Sequence, residues 1–293
     1  MEARLLPAVV SAIRSATGDD PGACKVRQLG GGCIHEAYVL LALTPYFVKV
    51  NSAAHQGIFD AELDGLLALA ATRTIRVPRV ITTGIAGNRS FLVLEFIPLA
   101  SASMRGWREM GESLAALHRS LSPDRRFGWH RANFIGATPQ PNSWHGDWIP
   151  FWRDHRLGFQ FKLAASHGTS FVGSERLLDR LDAFFAGYTP VPSLLHGDLW
   201  SGNASFTDNG QPVIYDPACY FGDRECDLAF TEMFGGFPLP FYEAYDAAWP
   251  RDEGWRSRRD IYNLYHVLNH FHLFGGAYHD QAQRMIHDLN GRL

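Results

Sequence analysis

Three oxygen-bearing side chains stand close together in the stretch HGDLWSGNASFTDNGQPVIYDPA. Asp198 is followed by Asn203 five residues later, and Asp216 lies thirteen beyond that. Asp216 ends the short apolar run VIY, where a strand can deliver a carboxylate to a loop. Such a set suits a hard cation such as Mg²⁺, with one carboxylate left to take the proton of a hydroxyl. The same tripeptide occurs earlier, in HGDWIPFW from His145. There the fifth residue past Asp147 is Trp152, which is no ligand, and the run FWRDHRLGFQFKLAAS that follows has a helical pattern. Asp147 is therefore read as a cap or first-turn acid of that helix. The chemistry is assigned to the second HGD.

The D-x4-N spacing is that of a kinase catalytic loop, in which the Asp accepts a hydroxyl proton and the Asn holds a metal. That reaction also needs a cation on the nucleotide phosphates, an acid holding the cation, and backbone N–H groups over the phosphates. Lys49 stands mid-strand in YFVKV. Glu62 follows thirteen residues later in FDAELDGLLAL, beside Asp64, and Gly30-Gly31-Gly32 interrupts LGGGCIHEAY. Singly, a strand lysine is most often a solvated edge residue, a helical Glu a surface residue, and a triglycine a hairpin. Together they run in kinase order: glycine turn, Lys49, Glu62, Asp198, Asn203, Asp216. Of 27 basic residues only Lys25, Lys49 and Lys162 are lysines, so a retained lysine points weakly to a place that wants a compact ammonium.

The elements that must position these residues follow from periodicity. Residues 3–16 read as an amphipathic helix and not a signal peptide, because the apolar stretch is short and Glu2, Arg4 and Arg14 flank or follow it. VRQLGGGCIHEAYVLLAL, YFVKVNS, RVPRVITTG and SFLVLEFI read as strands, with a helix over 58–72. After Pro98 the pattern predicts helices near 103–121, 148–166, 174–187, 224–234, 238–247, 255–274 and 278–291. Short strands are expected at 204–207 and 212–215. The expectation is an α+β, kinase-like, two-lobed fold. Its N-lobe, 1–97, is a small antiparallel sheet with one helix; its C-lobe, 98–293, is larger, mostly helical, and carries the catalytic loop and substrate site. Clefts between lobes are common ligand sites.

Composition excludes several classes. A chain of 293 residues, 46% hydrophobic and 19% charged, is globular with ample core. A net charge of −3 gives no basic field for nucleic acid. No apolar run reaches the roughly 18–20 residues of a membrane span. The four cysteines, Cys24, Cys33, Cys219 and Cys226, form no CxxC pair, which argues for free thiols in a reducing compartment and a cytoplasmic location. No G-x-S-x-G or G-x4-G-K-[ST] occurs, against a serine hydrolase or a P-loop kinase.

The chain resembles the fructosamine kinase (ketosamine 3-kinase) family, within the wider group of aminoglycoside phosphotransferases and choline kinases. The resemblance covers nearly the whole chain. It rests on LGGGCIHEAY, YFVKVN, FDAELDGLLAL, IRVPRV, FLVLEFI, LHGDLWSGN, IYDPACYFGDRECDLAF, FGGFPLPFYEAY and LYHVLNHFHLFG. It implies ATP and Mg²⁺ as cofactors. Lys49 would touch the α- and β-phosphates, oriented by Glu62, under Gly30, Gly31 and Gly32. The backbone around Glu95, Phe96 and Ile97 would face adenine. Asp198 would be the base, with Asn203 and Asp216 holding Mg²⁺. The acceptor would be a sugar hydroxyl of a ketosamine, small or protein-bound, in a deglycation or repair activity.

Three departures matter. The glycine turn lacks the full G-x-G-x-x-G, DPA replaces DFG, and no APE-type segment follows Asp216. The missing activation segment argues for a small sugar or an exposed sugar adduct over a docked peptide. Trp200 is a candidate sugar platform or core anchor, and His270 with Asn269 a candidate second wall of the substrate site. His266 and His270, at i and i+4, suggest a metal pair, which the missing HExxH context disfavours. Asp227 and His196 read as braces of the catalytic loop, Glu36 as turned away from phosphate, and Cys33 as a redox-sensitive thiol. A monomer or weak dimer is expected. The competing readings are an aminoglycoside, choline or homoserine kinase on the same fold, or a non-catalytic nucleotide binder.

Overall fold

Strands rich in β-branched and aromatic residues form the first sheet. β1 (Lys25–Leu29), β2 (Glu36–Leu41), β3 (Tyr46–Ser52), β4 (Val80–Ala86) and β5 (Arg89–Glu95) pair antiparallel in the order β1-β2-β3-β5-β4. The computed structural model describes residues 1–2, 4–22, 24–30 and 35–293. Gly31, Gly32 and Cys33, to which the sequence assigns a phosphate cover and a redox-sensitive thiol, lie outside the described residues.

Helix α1 (Leu5–Thr17) places Leu5, Val9 and Ile13 on one stripe. That stripe packs on Tyr38, Leu40, Val48, Val50, Phe91 and Val93 of the sheet. Lys49 lies between Val48 and Val50, so the two-residue pleat turns it to the opposite face. On that face lies α2 (Gln56–Thr72), whose Phe59, Leu66 and Leu69 join Leu92 and Leu94 in the main core. Glu36 shares the outer face, where it accepts from Tyr38 Oη at 2.5 Å and from Arg89, and so points away from Lys49.

The chain leaves the first sheet at Glu95 and joins a second almost at once. β6 (Leu99–Ala100) pairs with β10 (Ala204–Thr207), which pairs with β11 (Pro212–Ile214). α3 (Met104–His118) starts at Ser103, whose side chain accepts from Gly106 N at 3.0 Å. A hairpin of β7 (Asn133–Ile135) and β8 (Thr138–Gln140) follows, then α4 (Trp148–Trp152), α5 (Gly158–Ser166) and α6 (Ser174–Asp179). β9 (Ser193–Leu195) pairs with β12 (Tyr220–Gly222). The chain ends in α7 (Glu225–Thr231), α8 (Leu239–Ala248), α9 (Trp255–Phe274) and α10 (Ala277–Asn290). One core runs from α2 and β5 through these C-terminal helices.

Two expected helices are broken. Over 148–166 a π-turn, Arg153–Leu157, separates α4 from α5. The wide turn swings Arg156 inward, where it donates to Pro141 O at 2.7 Å and Asn142 Oδ1 at 2.7 Å and lies 4.0 Å from the Tyr220 ring centroid. Over 174–187 the helix stops at Asp179, and a 3₁₀ turn spans Leu181–Phe185. Asp147 occupies the N-cap position of α4, yet its carboxylate makes no capping bond. The described cysteines, Cys24, Cys219 and Cys226, are free. No helix among the described residues is long and apolar enough to cross a membrane.

Candidate active site

Lys49, turned inward by β3, meets two acids far apart in sequence. Its Nζ lies 2.7 Å from Glu62 Oε1 on α2 and 2.5 Å from Asp216 Oδ1 after β11. Lys49 and Glu62 are buried, while the Asp216 side chain is 44% exposed. Burial alone would push the Lys49 ammonium down; the charges of Asp216 and Glu62, with their hydrogen bonds, outweigh it and hold the group above its usual range. Burial pushes Glu62 up, and the Lys49 ammonium opposes that push. Asp216 holds φ +58, a left-handed backbone that costs a residue other than glycine about 1–3 kcal/mol.

The HGD loop is braced from below. Asp227, in the first turn of α7, accepts from His196 N at 2.7 Å and from Gly197 N at 2.8 Å. Gly197 has φ +81, and a Cβ there would stand 2.1 Å from Ala218 O, so only glycine fits. His196 Nε2 donates to Tyr215 O at 2.9 Å while its Nδ1 accepts from Asp198 N at 3.3 Å. That pattern requires a neutral imidazole, and burial lowers the His196 pKa accordingly. Asp227 is held in turn by His118 Nε2 at 3.1 Å, and His118 Nδ1 by Tyr245 Oη at 2.8 Å. The sequence reading missed His118 and Tyr245, because a histidine on the apolar face of a helix carries no signal of what it touches.

Asn203 Nδ2 donates to Asp198 O at 2.8 Å and to Asp198 Oδ2 at 3.0 Å. Tyr215 N donates to Asn203 O at 3.0 Å, which brings the backbone of Asn203 beside the strand end that carries Asp216. Among the described residues neither Asn203 Oδ1 nor Asp216 Oδ2 has a hydrogen-bond partner. Two unpaired oxygens of this kind fit a hard divalent cation.

Asp198 is half-buried. Burial and then the Asp216 charge raise its pKa to about 7, against the opposing bond from Asn203. A raised folded-state pKa means that Asp198 contributes most favourably at low pH. Its contribution to stability falls as pH rises from the unfolded value near 3.8 to about 7. In the metal-free protein the Asp198 carboxyl, followed by ¹³C NMR, is expected to titrate near pH 7 and to move lower in Asp216→Asn. An unchanged midpoint in that variant would remove Asp216 as a cause.

The remaining candidates are placed as follows. Gly30 ends the described part of β1's loop. Glu95 accepts from Arg76 Nη2 at 2.6 Å and from Arg79 N at 3.2 Å, Phe96 is half-buried and Ile97 is buried, all on the segment joining the two sheets. Trp200 is half-buried: its ring lies over Gly202, where a Cβ would come within 2.3 Å, and meets the Phe234 ring at 5.6 Å. His270 reaches that same Phe234 ring at 5.2 Å. Asn269 instead turns inward to Ile135 O at 3.4 Å, and His266 lies flat on Phe230 at 3.5 Å. His35 packs on Phe59, and burial followed by the Lys49 charge lowers its pKa to about 4, so it is neutral at pH 7.

Comparison with known proteins agrees with this geometry. The family model for fructosamine kinase matches residues 5–291. A Synechocystis protein named "Probable ketoamine kinase" is 45% identical over 279 residues, covering 95% of this chain and 94% of the relative. A rice (Oryza sativa subsp. japonica) chloroplastic protein-ribulosamine 3-kinase is 40% identical, covering 90% of this chain and 78% of its own. A crystal structure from Haemophilus somnus 129PT, described provisionally as a fructosamine-3-kinase, superposes with TM-score 0.90 at 30% identity over 96% of each chain. A spectinomycin phosphotransferase solved with ADP and spectinomycin shares the fold alone, with TM-score 0.57 at 14% identity over 97% of this chain and 93% of that one.

Proposed function

The chain belongs to the fructosamine kinase family, and from that premise we propose that it transfers the γ-phosphoryl group of ATP to a sugar hydroxyl of a ketosamine. The observation that carries this reading is the Lys49–Glu62–Asp216 ion cluster facing the Asp198–Asn203 loop. Relatives named ketoamine kinases and ribulosamine 3-kinases support the acceptor class.

Phosphoryl transfer needs positioning and charge neutralisation more than covalent chemistry. Lys49, held by Glu62, supplies a fixed ammonium for the nucleotide phosphates. Asp198 orients the acceptor hydroxyl and takes its proton. Asn203 fixes the Asp198 carboxylate through Nδ2, which leaves Oδ1 without a partner among the described residues. Asn203 and Asp216 are the proposed Mg²⁺ ligands; the ion, when bound, would neutralise charge on the phosphates. The segment Glu95–Ile97 is the proposed adenine contact, Gly30 and its neighbours the proposed phosphate cover, and Trp200 the proposed sugar platform. Buried free thiols at Cys219 and Cys226 support a reducing compartment such as the cytoplasm.

The test is ATP consumption with Mg²⁺ on a panel of ribulosamine, erythrulosamine, fructosamine, an aminoglycoside and choline. Turnover of one or more ketosamines is expected. Turnover of choline or the aminoglycoside alone would overturn the acceptor class and leave the fold and base untouched.

A further inference from the structure

Asp216 keeps its left-handed backbone, φ +58, where the chain leaves β11 for the active site. A residue other than glycine stays in that conformation only where its surroundings fix it. On the N-terminal side, Ile214 N donates to Arg76 O at 3.0 Å and Tyr215 N to Asn203 O at 3.0 Å. On the C-terminal side, Ala218 N donates to His196 O at 2.8 Å. The carbonyls of Ala218 and Cys219 take their donors from elsewhere, and the β7–β8 hairpin supplies both.

Asn133 and Gln140 stand opposite each other in the hairpin register. Asn133 Nδ2 donates to Cys219 O at 2.7 Å, and Gln140 Nε2 donates to Ala218 O at 3.2 Å. Asn133 Oδ1 accepts from Gln140 Nε2 at 2.8 Å and from Asn142 Nδ2 at 2.7 Å. Asn142 Oδ1 is the oxygen that takes Arg156 Nη2, and Gln140 Oε1 takes the Tyr265 hydroxyl of α9 at 2.7 Å. A guanidinium only donates and a backbone carbonyl only accepts, so the orientation of each amide is fixed. Asn133, Gln140 and Asn142 are all buried, and every nitrogen and oxygen of their side chains is paired. A fully paired buried network rigidifies what it holds. What this one holds is the segment directly after Asp216.

We propose that Asn133 and Gln140 are positioning residues for the cation site. By clamping the carbonyls of Cys219 and Ala218, they keep Asp216 in its left-handed backbone, with one carboxylate oxygen on Lys49 and the other left for the divalent ion. The inference rests on the reading of Asp216 as a Mg²⁺ ligand. The polar atoms of both amides are already taken by protein partners, so each acts through the backbone and not on the ion itself. The hairpin is thereby the outer support of a ligand far from it in sequence.

The experiment is calorimetric binding of ADP in Mg²⁺ and in EDTA, and it reads the ratio of the two affinities. The paired variant Gln140→Met/Tyr265→Phe removes one clamp together with its hydroxyl partner, a replacement that leaves little unpaired and costs little stability. The ratio is expected to fall about 10–100-fold, the scale of lost support behind a metal ligand, with affinity in EDTA unchanged. Asn133→Leu should act in the same direction; where it fails to fold, the paired variant decides. Val9→Ala, which loosens the separate cluster under α1, should keep the wild-type ratio. An unchanged ratio in the paired variant, or an equal fall in Val9→Ala, overturns the positioning role and leaves the metal reading standing. Wild-type affinity that does not depend on Mg²⁺ overturns the metal reading, and the positioning role with it.

Discussion

Asp198→Asn lowers kcat on a ketosamine about 10²–10⁴-fold, the scale of a lost general base, with ATP affinity and melting temperature near those of wild type. The substitution keeps the shape of the side chain and an oxygen for Asn203 Nδ2, now 3.0 Å from Asp198 Oδ2. The backbone bonds that hold the loop, from His196 N and Gly197 N to Asp227, do not involve the replaced group. What disappears is the proton acceptor, together with a negative charge that Asp216 opposes. Steady-state kinetics beside calorimetric ATP binding separate these effects. A kcat within a few-fold of wild type would take the base role from Asp198.

The largest stability effect is expected at Arg258→Met. Arg258 is buried on α9, with Nε 2.7 Å and Nη2 3.0 Å from the two oxygens of Glu225 on α7. Its guanidinium also lies 3.7 Å from the Tyr188 ring centroid. Asp223 stands next to this pair, accepting from Tyr188 Oη at 2.9 Å and Tyr262 Oη at 2.5 Å. Without Arg258 the buried Glu225 carboxyl loses its cation, a loss of about 3–5 kcal/mol, and the part-exposed Asp252 loses its bond at 2.8 Å. Burial and then Asp223 already raise the Glu225 pKa to about 7. Since the folded state binds that proton more tightly than the unfolded one, stability falls as pH rises from about 4.5 through the folded value, and the variant extends that fall to higher pH. Urea unfolding at pH 5 and pH 8 should show the larger deficit at pH 8, and adding Glu225→Gln should recover part of it. Equal deficits at both pH values would mean that lost packing, not an uncompensated charge, sets the loss.

Much of this molecule could be read from periodicity. The strand expected over YFVKVNS is β3, and its pleat turns Lys49 to the face opposite Val48 and Val50. The long C-terminal pattern over 255–274 appears as α9, Trp255–Phe274, because a buried stripe of that length leaves few alternatives. The π-turn at Arg153–Leu157 was not legible, since it answers a tertiary demand: the Arg156 guanidinium needs Pro141 O and Asn142 Oδ1, residues outside its own helix. The β7–β8 hairpin escaped as well, because strands of three residues are too short for alternation to register. In the site, the order of charged residues was visible, but not that a single ammonium touches both Glu62 and Asp216, the latter 167 residues away. Asn269 was placed with His270 at the substrate side; consecutive helical residues diverge by roughly 100°, which sends Asn269 into the core.

Helix α2 has one more consequence. Its apolar residues belong to the main core and not to the cluster under α1. Gly65 lies so close to the C-lobe that a Cβ would come within 3.1 Å of Cys219 Sγ, and Asp64 accepts from Trp129 Nε1 at 2.7 Å. In protein kinases the helix that carries the lysine's partner can swing away, and regulation works through that swing. Here the corresponding helix is packed on the larger lobe through Asp64, Gly65 and its core residues. It is a wall and not a lever: a swing of α2 would break the packing of Gly65 on Cys219 and the bond from Trp129 to Asp64.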